Sequence, residues 1–316
     1  MKKMLKWGGI ALFSVLAIAI ISLYAAVTYR WKGDFFNANG VAIHYIDEGN
    51  PQGEPVVLVH GFAANTDINW RYTGVIRGLK KQGHRVIALD MRGHGLSGKP
   101  AEESAYGMEM VDDIARLLDH LDIPRAHVVG YSMGGLITLK FVATHPGRLL
   151  SATVGGAGWF DLQSPKIQIL QNLGTSLDEG GGFAPLVNGL HPDSMFPGIE
   201  GRVASFAIDF VNDRAALRAL LPGMLDWLVT EDVLRANQVP LLVICGTNDP
   251  MKEGAHNLEG VAAHTTVVYV EGGDHESTVF KELYHHSLAE HIASCATSTP
   301  APESAAQDNT GEVAAR

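Results

Sequence analysis

Between residues 41 and 270, short β-branched apolar runs alternate with stretches whose apolar residues recur at helical spacing, and few folds accept that order. The runs are Val41–Ile46, Val56–His60, Arg85–Asp90, Ala126–Tyr131, Ser151–Gly155, Leu241–Gly246 and Thr266–Val270. Several are apolar almost throughout, as strands covered on both faces are. In Met110–Leu121 the residues Met110, Val111, Ile114, Leu117, Leu118 and Leu121 repeat at three- and four-residue steps, which lines one side of a helix. Leu136–Ala143 and Ser277–Ile292 read the same way. The alternation predicts an α/β domain around a mostly parallel sheet. Ligands of such sheets sit beyond the carboxyl ends of the strands.

From Gly158 to about Asn237 no strand pattern is visible. This stretch opens Gly- and Pro-rich (Gly180, Gly181, Gly182, Pro185, Pro192, Pro197) and continues with helix-like segments at Arg202–Val211 and Arg214–Leu221. Asp213 is placed as the N-cap of the second. Its large apolar residues, Met195, Phe196, Phe206, Phe210, Leu217, Leu220, Met224 and Trp227, predict a packed helical cap that closes an apolar pocket against water. The expected division is an N-terminal segment at 1–32, a core at 33–157 and 238–295, a cap insertion at 158–237 and a disordered tail at 296–316.

Trp7–Tyr29 contains no charged residue. As a helix it would span about 34 Å, enough to cross a hydrocarbon core of roughly 30 Å. Lys2, Lys3 and Lys6 precede it, Arg30 and Lys32 follow, and Trp7, Tyr24, Tyr29 and Trp31 sit near its ends, where interfacial aromatics belong. The expectation is a single membrane anchor with the catalytic domain on the non-cytoplasmic side. The alternative is a cleaved signal peptide and a secreted domain, with cleavage near Ala17–Ala19 or Tyr24–Ala26. Thr297–Arg316 has no large apolar residue except Val313 and cannot bury enough surface to offset its ordering entropy.

Charge narrows the partners. The net charge is −10. Residues 1–32 hold five of the 24 basic residues and no acid, leaving 19 against 34 acidic residues in the remainder, a balance of −15. Nucleic acid demands a basic surface and is excluded as an expected partner. There are two cysteines. Cys245 reads as a core thiol in a strand and Cys295 as a surface thiol beside the tail; neither a disulfide nor a metal site is expected.

Chemistry concentrates at the ends of the apolar runs. Gly130-Tyr131-Ser132-Met133-Gly134-Gly135 fits G-x-S-x-G between a strand and a helix. A serine hydroxyl needs a base to become a nucleophile, and a sharp turn flanked by glycines exposes Ser132 to one. The Met133 amide then points to where an oxyanion forms. A second donor is expected from His60-Gly61-Phe62, through the Phe62 amide. Of 14 histidines, His275 in Gly272-Gly273-Asp274-His275 stands at a strand's carboxyl end. His285, His286 and His291 read as surface residues of the last helix, and His94 as structural. Asp249, closing the strand Leu241–Cys245, is the candidate acid. Asp274 is too close in sequence to bond its neighbour's ring, and Asp161 is the fallback.

With those motifs, and with Asp90-Met91-Arg92-Gly93-His94-Gly95-Leu96-Ser97, the chain resembles the α/β-hydrolase superfamily from about Gly40 to Cys295, closest to its capped esterase, lipase and C–C hydrolase branches. The resemblance implies a mostly parallel eight-stranded sheet with helices on both faces and a helical cap, the triad Ser132, Asp249 and His275, oxyanion donors at Phe62 and Met133, and no cofactor. Ser rather than Asp at 132 argues against the superfamily's haloalkane dehalogenases and epoxide hydrolases. The expected reaction is cleavage of a carboxylic ester of a small, apolar acyl substrate through an acyl-enzyme. A C–C bond hydrolase or acyltransferase would use the same triad, and a membrane-tethered binding protein would be expected to lose one of its members.

Overall fold

A computed structural model describes residues 33–161, 163–192 and 197–296. Eight strands form one sheet: β1 (Asp34–Ala38), β2 (Val41–Gly49), β3 (Pro55–Val59), β4 (Arg85–Leu89), β5 (Ala126–Tyr131), β6 (Leu149–Gly155), β7 (Leu241–Gly246) and β8 (Thr265–Val270). Their order is β1-β2-β4-β3-β5-β6-β7-β8. β2 is antiparallel to β1 and β4, and the remaining pairs are parallel. Asn39 and Gly40, both at positive φ (52° and 88°), make the tight turn between β1 and β2 that such a hairpin requires.

The helices are α1 (Val75–Lys81), α2 (Met108–His120), α3 (Met133–Thr144), α4 (Pro165–Asp178), α5 (Ala184–Leu190), α6 (Pro197–Val211), α7 (Arg214–Leu220), α8 (Glu231–Arg235), α9 (Lys252–Glu259) and α10 (Glu282–Ala296). Alternate residues of one strand feed opposite faces. Val57 and Val59 pack with α2 and α3 through Ile114, Leu117, Ile137 and Phe141. Val56 and Leu58 pack on the other face with Val75, Ile76 and Leu79 of α1 and Tyr284, Leu288 and Ile292 of α10. Both faces are covered, which is why β3 to β7 read as continuous apolar runs.

β1 lay outside the seven apolar runs. Phe36 and Ala38 are buried while Phe35 and Asn37 face solvent, so an edge strand of five residues leaves almost no hydrophobic signal. Cys295 is a second correction: it is buried, at 6% exposure, because α10 continues to Ala296 and turns it inward.

Among the described residues no strand lies between β6 and β7, and α4 to α8 fill that interval. α4 and α5 occupy the part that reads as Gly- and Pro-rich. Ser164 caps α4 by accepting from the Lys166 amide, and prolines sit in the first turns of both helices, where their missing N–H costs nothing. Leu217, Leu220, Met224 and Trp227 are buried as expected, whereas Phe206 and Phe210 are exposed; α6 packs on α5 through its other side. Met195 and Phe196 lie outside the described residues. The inserted helices are sewn to the core by Trp227 Nε1 donating to the Gly107 carbonyl (2.9 Å), Lys140 Nζ to Leu228 (3.1 Å) and Trp159 Nε1 to Val229 (2.7 Å). The expected anchor at Trp7–Tyr29 and the tail from Thr297 also fall outside the described residues. Among those that are described, no helix is long and apolar enough to cross a membrane.

Candidate active site

β5 ends at Tyr131 and α3 begins at Met133, so Ser132 must reverse the chain alone. It does so at φ 52°, ψ −117°, a backbone region that costs a non-glycine residue about 1–3 kcal/mol and persists only where the surroundings enforce it. The enforcement is visible. The Ser132 amide donates to the Gly155 carbonyl at 2.8 Å, and its own carbonyl accepts from Leu136 at 3.1 Å. A Cβ on Gly130 would stand 2.0 Å from the Gly134 carbonyl oxygen, and one on Gly134 would stand 2.0 Å from that of Val59. Neither position can carry a side chain without moving backbone.

His275 and Asp249 follow β8 and β7 at the same end of the sheet. His275 Nε2 lies 2.9 Å from Ser132 Oγ, and Nδ1 lies 3.0 and 3.1 Å from the two Asp249 carboxylate oxygens. A carboxylate only accepts, so Nδ1 carries the proton and Nε2 is left to accept from the serine hydroxyl. Burial pulls the imidazole pKa down, but the hydrogen bond and charge of Asp249 outweigh it and the net shift is upward from 6.5. Asp249 is 2% exposed and also accepts the Met251 amide at 2.8 Å, which fixes its rotamer. The Tyr131 hydroxyl donates to the His275 carbonyl at 2.7 Å. The residue before the serine thus holds the loop bearing the imidazole.

The third piece is the turn after β3. A Cβ on Gly61 would lie 3.3 Å from Ser132 Cβ, so glycine lets this turn close on the serine, with the Phe62 amide next in line. The Gly61 amide donates to Asn69 Oδ1 at 2.8 Å. His60 Nε2 accepts the Met91 amide at 2.9 Å, which leaves Nδ1 protonated to donate to the Gly61 carbonyl at 2.7 Å. Met133 is the first residue of α3, and its amide has no acceptor inside the helix. Phe183, at the start of α5, brings its ring to 6.3 Å from that of Phe62, and Asn212 Nδ2 donates to the Ala63 carbonyl at 3.2 Å. The inserted helices therefore rest on this turn.

The residues not brought to the imidazole are equally clear. Asp161 is exposed and accepts the Gln163 amide, and Asp274 accepts the Ser277 amide. His94 is fully buried against His60 and Phe62, and burial first, then His60, lowers its pKa to about 3. Of the histidines read as surface residues, His286 is exposed and pairs with Glu290. His285 and His291 are half-buried and burial lowers both, because α10 packs closely on α1 and the sheet. Asn69 and Tyr131 were not singled out in the sequence; their roles come from bonds to backbone atoms that no spacing announces. Among the described residues no group of three or more His, Cys, Asp or Glu side chains is placed to hold a metal ion.

The family model described as the alpha/beta hydrolase fold matches residues 54–281. The chain belongs to the α/β-hydrolase family. Cis-3-alkyl-4-alkyloxetan-2-one decarboxylase of Shewanella oneidensis is 32% identical over 243 residues, 69% of this chain and 74% of that protein. The dihydrolipoyllysine-residue acetyltransferase component of the acetoin cleaving system of Pseudomonas putida is 36% identical over 115 residues, 36% of this chain and only 30% of the relative. A carboxylesterase structure from the thaumarchaeon Nitrososphaera gargenis superposes with a TM-score of 0.68 at 23% identity, covering 84% of this chain and all of that one. Membership in the α/β-hydrolase family supports hydrolase chemistry, but the fold hosts many reactions and does not choose the bond.

Proposed function

We propose that this α/β-hydrolase cleaves a carboxylic ester through an acyl-enzyme on Ser132. The observation that carries the reading is the unbroken line from Ser132 Oγ through both nitrogens of His275 to the buried Asp249 carboxylate, each link at 2.9–3.1 Å. His275 takes the serine proton as Oγ attacks the ester carbonyl, and returns it to the leaving alcohol. Asp249 holds the tautomer and stabilises the imidazolium. The Phe62 and Met133 amides receive the tetrahedral oxyanion; losing one such donor typically costs about 3 kcal/mol. Water then repeats the sequence on the acyl-enzyme. Aromatic and apolar neighbours of the turn, Phe62 and Phe183, favour an apolar acyl group. No step requires a cofactor.

The domain is read as tethered by Trp7–Tyr29, with its acidic bulk on the non-cytoplasmic side. That reading rests on the length and lack of charge of the segment and on its flanking residues. Membrane fractionation of the full chain checks it, since a shortened soluble product would indicate signal-peptide cleavage instead. For the chemistry, the test is labelling of Ser132 by a fluorophosphonate, followed by p-nitrophenyl esters of increasing acyl length. Labelling with turnover of at least one ester is expected. Labelling without hydrolysis of any ester would leave the triad in place and reject ester cleavage, in favour of C–C hydrolysis or acyl transfer.

A further inference from the structure

α6 presents large apolar side chains to the outside of the molecule. Val203, Phe206 and Phe210 are 64%, 73% and 53% exposed. At 100° per residue they fall, together with exposed Ala207, within an arc of about 100°, bordered on one side by exposed Arg202 and Asp209. The Phe206 and Phe210 rings stack with centroids 6.1 Å apart, so the arc is a continuous ridge. The opposite side of the helix is engaged: Gly201 is buried, and Ser205 Oγ accepts the Phe183 amide at 2.7 Å. Single exposed hydrophobic residues are ordinary, but a contiguous ridge marks a surface with an apolar partner.

The position of the chain's entry says what that partner is. Arg30, Trp31 and Lys32 separate the uncharged segment from Gly33, and three extended residues reach at most about 10 Å. Asp34 is in register with Tyr45, and Tyr45 with Leu89, the last residue of β4. The chain thus enters at the level of the carboxyl ends of the parallel strands, the end on which the inserted helices rest. With Trp7–Tyr29 in a bilayer, as the anchor reading has it, that corner would be held within about 10 Å of the lipid surface. The balance of −15 over residues 33–316 opposes contact with anionic headgroups, which favours apolar insertion as the contact.

We propose that the Val203–Phe206–Phe210 ridge of α6 seats in the interfacial layer of the bilayer that holds Trp7–Tyr29; the proposal rests on the anchor reading. An interfacial helix needs this composition, with aromatic residues on the immersed arc and charges at its border. The test uses the full chain reconstituted in phosphatidylcholine–phosphatidylglycerol vesicles, with an environment-sensitive fluorophore at F206C or, as a control in the same insertion, at exposed Glu179→Cys; the two native thiols are buried. A blue shift and quenching by lipids brominated in the acyl chains are expected at 206 and not at 179. A probe at 206 that stays as unquenched as one at 179, while the chain floats with the vesicles, overturns the proposal and leaves the anchor standing. A chain that fails to float overturns the anchor and the docking with it. Cross-linking between 206 positions of two copies, without quenching, assigns the ridge to self-association and likewise overturns it. Fluorophosphonate labelling of Ser132 in the same samples reports on the hydrolase reading independently.

Discussion

The strand ends and the helices inserted between β6 and β7 touch at Phe62 and Phe183, yet they are held in different ways. Around Ser132 the turn itself is set by backbone, through the Gly155 carbonyl and the Val59 carbonyl against Gly134, with the His60 and Asn69 side chains only bracing Gly61 beside it. The inserted helices hang on side-chain bonds such as Asn212 to Ala63 and Trp159 to Val229, and leave phenylalanines in the open. Backbone contacts tolerate little change without loss of the turn itself, whereas side-chain contacts can be exchanged. On the proposed reading, the first part carries the chemistry and the second is free to vary what reaches it.

The sharpest way to break that comparison is to remove the hydroxyl. Ser132→Ala is expected to lower kcat by about 10⁶-fold and abolish fluorophosphonate labelling, with melting unchanged; steady-state kinetics beside calorimetry measure both. Asp249→Asn should cost about 10⁴-fold in kcat and move the acid limb of the pH profile. The base works only as the neutral imidazole, and the raised His275 pKa puts the native limb above pH 6.5. Without the carboxylate's charge the burial effect remains, so the limb shifts to lower pH; an unmoved limb would reject Asp249 as the imidazole's partner.

Two smaller effects sharpen the contrast in stability. Arg92, 1% exposed, meets fully buried Asp113 through two bonds of 2.7 and 2.6 Å. Asp113→Ala removes the guanidinium's buried carboxylate, leaving it Glu109 at 3.6 Å and the Ala38 and Ala105 carbonyls, and should cost about 3 kcal/mol by denaturant unfolding. Phe206→Ser on α6 should change stability by no more than about 0.5 kcal/mol and leave turnover of a soluble ester unaltered. A large loss there would mean that the ridge belongs to the packed core after all.

The sheet was legible because strands covered on both faces must be apolar throughout, and Ser132, Asp249 and His275 lie one, three and five residues past the ends of β5, β7 and β8. The legible part ends where burial is one-sided or contacts are irregular. β1 hides behind its polar alternation, and α4 and α5 behind glycines and prolines that turned out to sit at helix ends. The Phe206 and Phe210 side chains could not be told from core residues, since hydrophobicity states a preference for burial and not the means. Asn69 had no signal at all: its function is one hydrogen bond to an amide eight positions away.

The bond from the Tyr131 hydroxyl to the His275 carbonyl joins residues 144 positions apart. A ribosome adding about 5–20 residues per second needs roughly 7–30 s to travel that distance. Throughout that interval the nascent chain carries Ser132 without the imidazole proposed as its base, as an ordinary alcohol. The proposed reaction is therefore unavailable to the growing polypeptide until its C-terminal quarter has emerged and folded back, and the capacity for it arrives in a single late event.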